Sequence, residues 1–270
     1  MSQPIILMRG GGDLATGVAL RLHRVGAQVV ITELQQPLVV RRSVSFAEAI
    51  YRDVHTVEGV TARYASNYEH ARKILTASEI PVLVDPSCRS IDRFNPLILI
   101  DARMTKRPPE IGMEAARFTI GLGPGFIAGK NCHAAIETMR GHFLARVIWD
   151  GAPQINTGIP EAVDQHQVER VLRAPIDGIF RPKLEIGNSV KMGELIAEVA
   201  GHPIIAPIDG CVRGLLHGGL SVWEGLKIGD IDPRDDARYV NSVSEKALAI
   251  GGGVLEAIFS QTDLRSYLWD

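Results

Sequence analysis

Cysteine is scarce and scattered: Cys88, Cys132 and Cys211 are the only three in 270 residues, with no CxxC pair among them. An odd, dispersed set excludes a disulfide framework and offers no structural zinc site, so no metal is expected. Neither sign of charge is in excess. A formal net charge of -2 supplies no long-range attraction for nucleic acid or an anionic membrane, and neither is expected as a partner. Long apolar runs are missing too: Pro-Leu-Ile-Leu-Ile, residues 96–100, is strand length, far below the ~20 residues a membrane helix needs. No basic stretch precedes the first apolar run, so that run reads as a strand rather than a signal peptide, and the expected address is the cytoplasm. GxSxG and HExxH are absent as well, so no motif names a catalytic residue.

What is present begins with Pro4-Ile-Ile-Leu-Met8, an apolar run that turns into Arg9-Gly-Gly-Gly-Asp-Leu-Ala-Thr-Gly17. Leu14, Val18, Leu22 and Val25 then recur at helical spacing, and Gly26 stops the helix before the strand Gln28–Thr32. Within this strand, turn, helix and strand, Gly10-x-Gly12-x-x-Ala15 fits a dinucleotide fingerprint, with Gly11 and Asp13 in the same turn. Glu33, 21 residues after Gly12, stands where a carboxylate accepts ribose hydroxyls. The alternative is a tight turn that binds nothing. Ser45-Phe-Ala-Glu48 reads as a capping box, residues 54–64 as a hairpin around Glu58-Gly59, and residues 68–76 as a helix. Three further strands end in Asp85, in Asp101 and in Gly121-Leu-Gly-Pro-Gly125.

In an open parallel sheet ligands bind beyond the carboxyl ends of the strands. The candidate cofactor-binding residues are therefore Gly10, Gly11, Gly12, Asp13, Ala15, Glu33, Asp85, Asp101, Gly121, Gly123 and Gly125. Residues 123–131 fail as a Walker loop: Pro124 stands six positions before Lys130, and Asn131 lacks a hydroxyl. A helix is expected over 131–139. Cys132 at its start and Cys88 beside Arg89 are the candidate reactive thiols, each with a buried packing role as its alternative.

The second half contains a duplication. Ala174-Pro-Ile-Asp-Gly178 returns 32 residues later as Ala206-Pro-Ile-Asp-Gly210, and Arg181, Gly187, Ser189-Val190, Gly193 and Ile196 match Arg213, Gly219, Ser221-Val222, Gly225 and Ile228 without a gap. Two short-stranded copies closing on each other predict a barrel-sandwich, in which Cys211, at the place of Ile179, fills the core. The expected fold class is α/β: a Rossmann-like parallel-sheet domain over 1–168, a small all-β barrel-sandwich hybrid domain over 169–235, and a C-terminal helical tail over 236–270 packing on the rest. The tail is interrupted by Gly251-Gly-Gly253, either as a break or as a close packing contact.

The repeat resembles biotinyl/lipoyl carrier domains, whose hairpin tip presents the attachment lysine. Here the tip is Val199-Ala-Gly-His-Pro-Ile204, with no lysine, so a carrier role is not expected. RGGGDLATG, GLGPGF with ETMRGH (residues 137–142), the repeat and EKALAIGGGVLEAI together resemble the YqeB-type accessory proteins of selenium-dependent molybdenum hydroxylases, and the first half is similar to XdhC-type chaperones. That resemblance implies a maturation factor that binds a molybdopterin-type dinucleotide, aids selenium or sulfur insertion through a thiolate, and has a molybdenum hydroxylase client as its partner. An NAD(P)-dependent oxidoreductase using the same fingerprint is the competing expectation. Whether the chain is an enzyme at all, and whether it forms a homo-oligomer, is left open by the sequence.

Overall fold

The computed structural model describes residues 3–155 and 170–269. The chain runs β1 (Ile5–Arg9), α1 (Asp13–Arg24), β2 (Gln28–Glu33), α2 (Ala49–Arg52), β3 (Val54–Val57), β4 (Val60–Ala65), α3 (Tyr68–Thr76), β5 (Ile80–Val84) and α4 (Ser90–Phe94). Then come β6 (Ile98–Asp101), β7 (Phe118–Leu122), β8 (Ala134–Ile136), β9 (Val147–Ile148), β10 (Val171–Arg173), β11 (Gly178–Pro182), β12 (Ser189–Val190) and β13 (Leu195–Val199). The chain closes with β14 (His202–Ile205), β15 (Gly210–Leu215), β16 (Ser221–Val222), β17 (Lys227–Asp232), α5 (Ala237–Asn241), α6 (Glu245–Phe259) and α7 (Thr262–Trp269). It divides into two compact units, one of Met1–Pro37, Ser45–Thr157 and Val243–Asp270, the other of Leu38–Val44 and Gly158–Ser242. The boundary expected at 168/169 lies outside the described residues.

The first unit corrects the expectation of a Rossmann-like parallel sheet. Its nine strands lie in the order β3-β4-β5-β2-β1-β6-β7-β8-β9, and the sheet is mixed, because β3 pairs antiparallel with β4 and β9 with β8. At one edge the reason is local. Glu58 and Gly59 both have positive φ, 45° and 82°, the two-residue turn that returns a strand antiparallel. At the other edge the helix expected over 131–139 is absent, and β8 occupies its middle. Asn131 explains this: its Oδ1 accepts from Ile127 N–H at 2.7 Å and its Nδ2 donates to the Gly125 carbonyl at 3.2 Å, side-chain bonds that compete with a helix.

The central strands are buried on both faces. Ile5 and Leu7 pack with Val30, Leu83, Leu99, Ile74 and Phe94, while Ile6 and Met8, which alternate with them, are as deeply buried. The single helix expected in the tail is replaced by α5, α6 and α7. Helix α6 opens on Ser244, whose side chain accepts from Ala247 N–H, and runs unbroken through Gly251–Gly253. It packs on α1 within the same unit. A Cβ on Gly17 would lie 2.6 Å from the Ala247 backbone, and one on Gly251 would lie 2.8 Å from the Gly17 carbonyl oxygen. These glycines let two helix backbones approach closely.

The second unit is built from two four-stranded antiparallel sheets, β10-β17-β15-β12 and β14-β13-β11-β16. Shifting the first by one copy of the repeat gives the second, so the duplication is a pseudo-twofold. The repeated pentapeptide is the clasp. Asp177 Oδ1 accepts from Glu224 N–H at 2.7 Å, and Asp209 Oδ1 accepts from Met192 N–H at 2.8 Å. Gly225 N–H donates to the Ala174 carbonyl and Gly193 N–H to the Ala206 carbonyl, at 2.9 and 2.8 Å. Each copy thus docks its turn on the other, around a shared core of Phe180, Val212, Ile196 and Ile228. Cys211 is buried but stands outside that core, and its counterpart Ile179 is 45% exposed. The position faces outward in both copies. In the second copy the outward face is approached by Val40, whose carbonyl accepts from Leu215 N–H at 2.8 Å, and by α5.

Candidate functional site

One row of the nine-stranded sheet carries the site. Leu83, Thr32, Arg9, Asp101 and Gly121 are consecutive register partners across β5, β2, β1, β6 and β7. Most of the candidates named from sequence therefore lie at or next to one rim. What they do there differs from one to the next.

Gly10 has φ +93°, in the left-handed region that favours glycine, and a Cβ on it would lie 3.2 Å from Arg103 Cα. A Cβ on Gly11 would lie 3.0 Å from Ala47 N, whose N–H donates to the Gly11 carbonyl at 2.9 Å. Phe46 N–H donates to Thr16 Oγ1 at 2.9 Å. The close backbone approach that the fingerprint reserves for a pyrophosphate is thus taken by the chain's own residues 46–47. A dinucleotide seated on this turn would have to displace those residues. Gly12 precedes α1 without a side-chain cap, Asp13 sets a carboxylate in its first turn, and Ala15 is buried.

Glu33 clamps the same turn. Its Oε1 accepts from Gly11 N–H at 2.7 Å and its Oε2 from Leu34 N–H at 2.8 Å. Burial raises its pKa above the ordinary carboxylate value, against the pull of those two bonds. Asp85 caps α4 and the turn before it: it accepts from Arg89 N–H at 3.0 Å, from Ser90 N–H at 2.8 Å and from the Ser90 hydroxyl. At the end of β7 a Cβ on Gly121 would overlap the Phe126 ring, and in the loop after it one on Gly123 would overlap the Thr138 hydroxyl and one on Gly125 the Arg107 carbonyl. Arg41 donates to the Tyr239 carbonyl and Arg42 to the Leu215 carbonyl, both within the second unit.

Asp101 has two arginines as partners. Arg9 Nη1 donates to its Oδ2 at 3.0 Å, and Arg103 chelates it through Nε and Nη2 at 3.0 and 2.7 Å. Both arginines also reach Glu110 Oε2, Arg9 at 3.3 Å and Arg103 at 2.7 Å. The side chains of Arg9 and Asp101 are 4% and 8% exposed, and that of Glu110 is 68% exposed. Sequence reading passed over Arg9, Arg103 and Glu110. The available signal was a charged residue closing an otherwise apolar strand, with a second arginine two residues beyond Asp101.

Neither candidate thiol is a thiolate at neutral pH. Burial raises Cys88 to about 11 even though Arg9 and a Thr32 hydrogen bond pull the other way, and burial raises Cys132 to about 11 as well. Cys132 lies in a loop, so the helix terminus expected to favour its thiolate is absent. Both folded values lie above the ordinary 9.0, so the stability these thiols contribute is full below about pH 9 and is lost as pH rises towards about 11. Iodoacetamide at pH 8 is expected to leave Cys88 and Cys132 unlabelled in the native protein and to label both in urea; labelling of either at comparable rates in the two states would contradict the burial argument. Among the described residues, no three His, Cys, Asp or Glu side chains are grouped to hold a metal ion, and no helix is long and apolar enough to cross a membrane.

The sequence is similar to YqeB of Escherichia coli. That protein, named "Uncharacterized protein YqeB", is 49% identical over 254 residues covering 94% of this chain. The chain spans about half the length of this curated relative, 47%. No family model matches. Among solved structures, an aspartoacylase family protein from Mesorhizobium loti superposes with a TM-score of 0.29 at 14% identity, covering 85% of each chain. A succinylglutamate desuccinylase/aspartoacylase from Rhodobacter sphaeroides gives 0.27 at 15%, also covering 85% of each. An ectoine utilization protein from Ruegeria pomeroyi gives 0.24 at 10%, covering 85% of this chain and 86% of its own. At such scores the likeness transfers no activity to this chain.

These findings correct the functional expectation. The relative's name carries no function, the sheet is mixed rather than parallel, the glycine turn is approached by the chain's own residues 46–47, and burial holds both candidate thiols protonated. The accessory-protein reading and the NAD(P)-dependent oxidoreductase reading are both withdrawn.

Proposed function

We propose that the first unit binds a small phosphate-bearing molecule, nucleotides included, at the rim where β1 and β6 end. The observation that carries this reading is the pair of guanidinium groups of Arg9 and Arg103, converging within 3.3 Å of the same carboxylate oxygen of Glu110. Planar guanidinium forks match phosphate oxygens and favour such ligands over a point-charge lysine site. With the glycine turn filled by residues 46–47, this reading gives the ligand's anionic end to the arginines rather than to Gly11. The role is binding without a thiolate, and a cytoplasmic address belongs to this proposal.

Thermal unfolding with millimolar AMP, ADP, NAD, a pterin dinucleotide and their dephosphorylated counterparts tests it. Phosphate-bearing members are expected to raise Tm and the dephosphorylated ones to leave it unchanged, with the gain lost in Arg103→Gln. If no phosphate-bearing compound raises Tm, or if Arg103→Gln responds like the unchanged protein, the reading fails.

A further inference from the structure

Two guanidinium groups, Arg9 and Arg103, are shared by one buried carboxylate, Asp101, and one exposed carboxylate, Glu110. The two carboxylates differ in setting. Asp101 is fixed in β6, whereas Glu110 lies on the connection to β7, which holds no strand or α-helix and carries Met104 and Lys106 at φ +57° and +60°. Glu110 also uses one oxygen, Oε2, for both arginines. We infer that Glu110 is a built-in stand-in for the ligand's anionic end: it occupies the anion site of Arg9 and Arg103 and is displaced by an entering phosphate or pyrophosphate group.

This rests on the rim reading above and adds its regulation. A phosphate offers three oxygens and more charge, so it bonds both arginines separately where Glu110 divides one oxygen between them. Glu110, 68% exposed, returns to water with little desolvation to undo, and an exposed ion pair of this kind holds only weakly. Lys106 and Arg107, exposed on the same connection, add positive charge to the segment that carries Glu110. The hydrogen bond from Arg103 is the first cause that holds the Glu110 carboxyl below its ordinary value, so it stays charged at neutral pH. The exchange therefore answers to ligand rather than to acid.

Calorimetric titration with inorganic pyrophosphate tests the inference on the unchanged protein, Glu110→Gln, Arg103→Gln and Glu185→Gln, the last removing an exposed carboxylate of the second unit. Because a competitor lowers the competent fraction and hence the apparent affinity, Glu110→Gln is expected to bind at least about fivefold tighter. Arg103→Gln should bind at least about tenfold weaker, as loss of a charged phosphate partner predicts. Glu185→Gln should match the unchanged protein. Equal affinity in Glu110→Gln and the unchanged protein, with Arg103→Gln still weaker, overturns the stand-in and leaves the rim reading standing. Tightening in Glu185→Gln equal to that in Glu110→Gln reduces the effect to net charge and also overturns the stand-in. Equal affinity in Arg103→Gln, or no binding by any of the four proteins, overturns both.

Discussion

Asp101→Ala is expected to lower the unfolding free energy by about 3–5 kcal/mol, the cost of removing one partner from a buried ion pair. The reason is what it leaves behind. Among the described residues, Arg9, with a side chain 4% exposed, would keep Glu110, at 3.3 Å, as its charged partner. Stability of the whole domain is about 5–15 kcal/mol, so urea unfolding of this variant should begin at markedly lower concentration. A change under about 1 kcal/mol would mean that Arg9 is solvated or re-paired in a way the geometry does not show. The same substitution tests the rim, since Arg103 loses the chelating carboxylate that orients it.

Gly17→Ala and Gly252→Ala are expected to act in opposite directions. In an isolated helix either change stabilises by about 1 kcal/mol. At Gly17 a Cβ would lie 2.6 Å from the carbonyl carbon and oxygen of Ala247, backbone atoms that no rotamer change can remove. The net result there is a loss of about 2–3 kcal/mol, in the range of overpacked cores. Gly252 is in the middle of α6 with nothing within 4 Å of its Cβ position, so the propensity gain survives. Measured by denaturant melts, a Gly17→Ala protein as stable as the unchanged one would show that α1 and α6 do not touch as closely as described.

These two sites illustrate what could be read from the sequence. Apolar runs placed β1, β2, β5, β6 and β7, and Glu58-Gly59 placed the hairpin, because strand patterning and turn chemistry are local. The repeat could be recognised because its offset was uniform. The edges of the large sheet could not be read, since the competition that replaces a helix by β8 is settled by Asn131 reaching back to Gly125 and Ile127. The glycine fingerprint misled for a related reason. Sequence shows that a backbone can be approached closely at Gly11 but not by what, and Ala47, 36 positions along the chain, is what approaches. Arg9, Arg103 and Glu110 were missed because their meeting depends on the β1 and β6 register and on a connection without repeating pattern.

The clasp between the repeat copies has a consequence for assembly. Asp177 and Asp209 each bind a turn of the other copy, so the first copy of one molecule presents to the second copy of another the same bonds that it makes at home. What favours closure within one chain is proximity: only Ala200 and Gly201, at φ 48° and 81°, separate β13 from β14, and so short a tether gives each copy a far higher effective concentration of its own sibling than of any neighbour's. The hairpin tip that carries no lysine therefore favours closure of the duplicated unit on itself, and shortening it until the two copies could no longer fold back on each other would open a route to exchanged dimers.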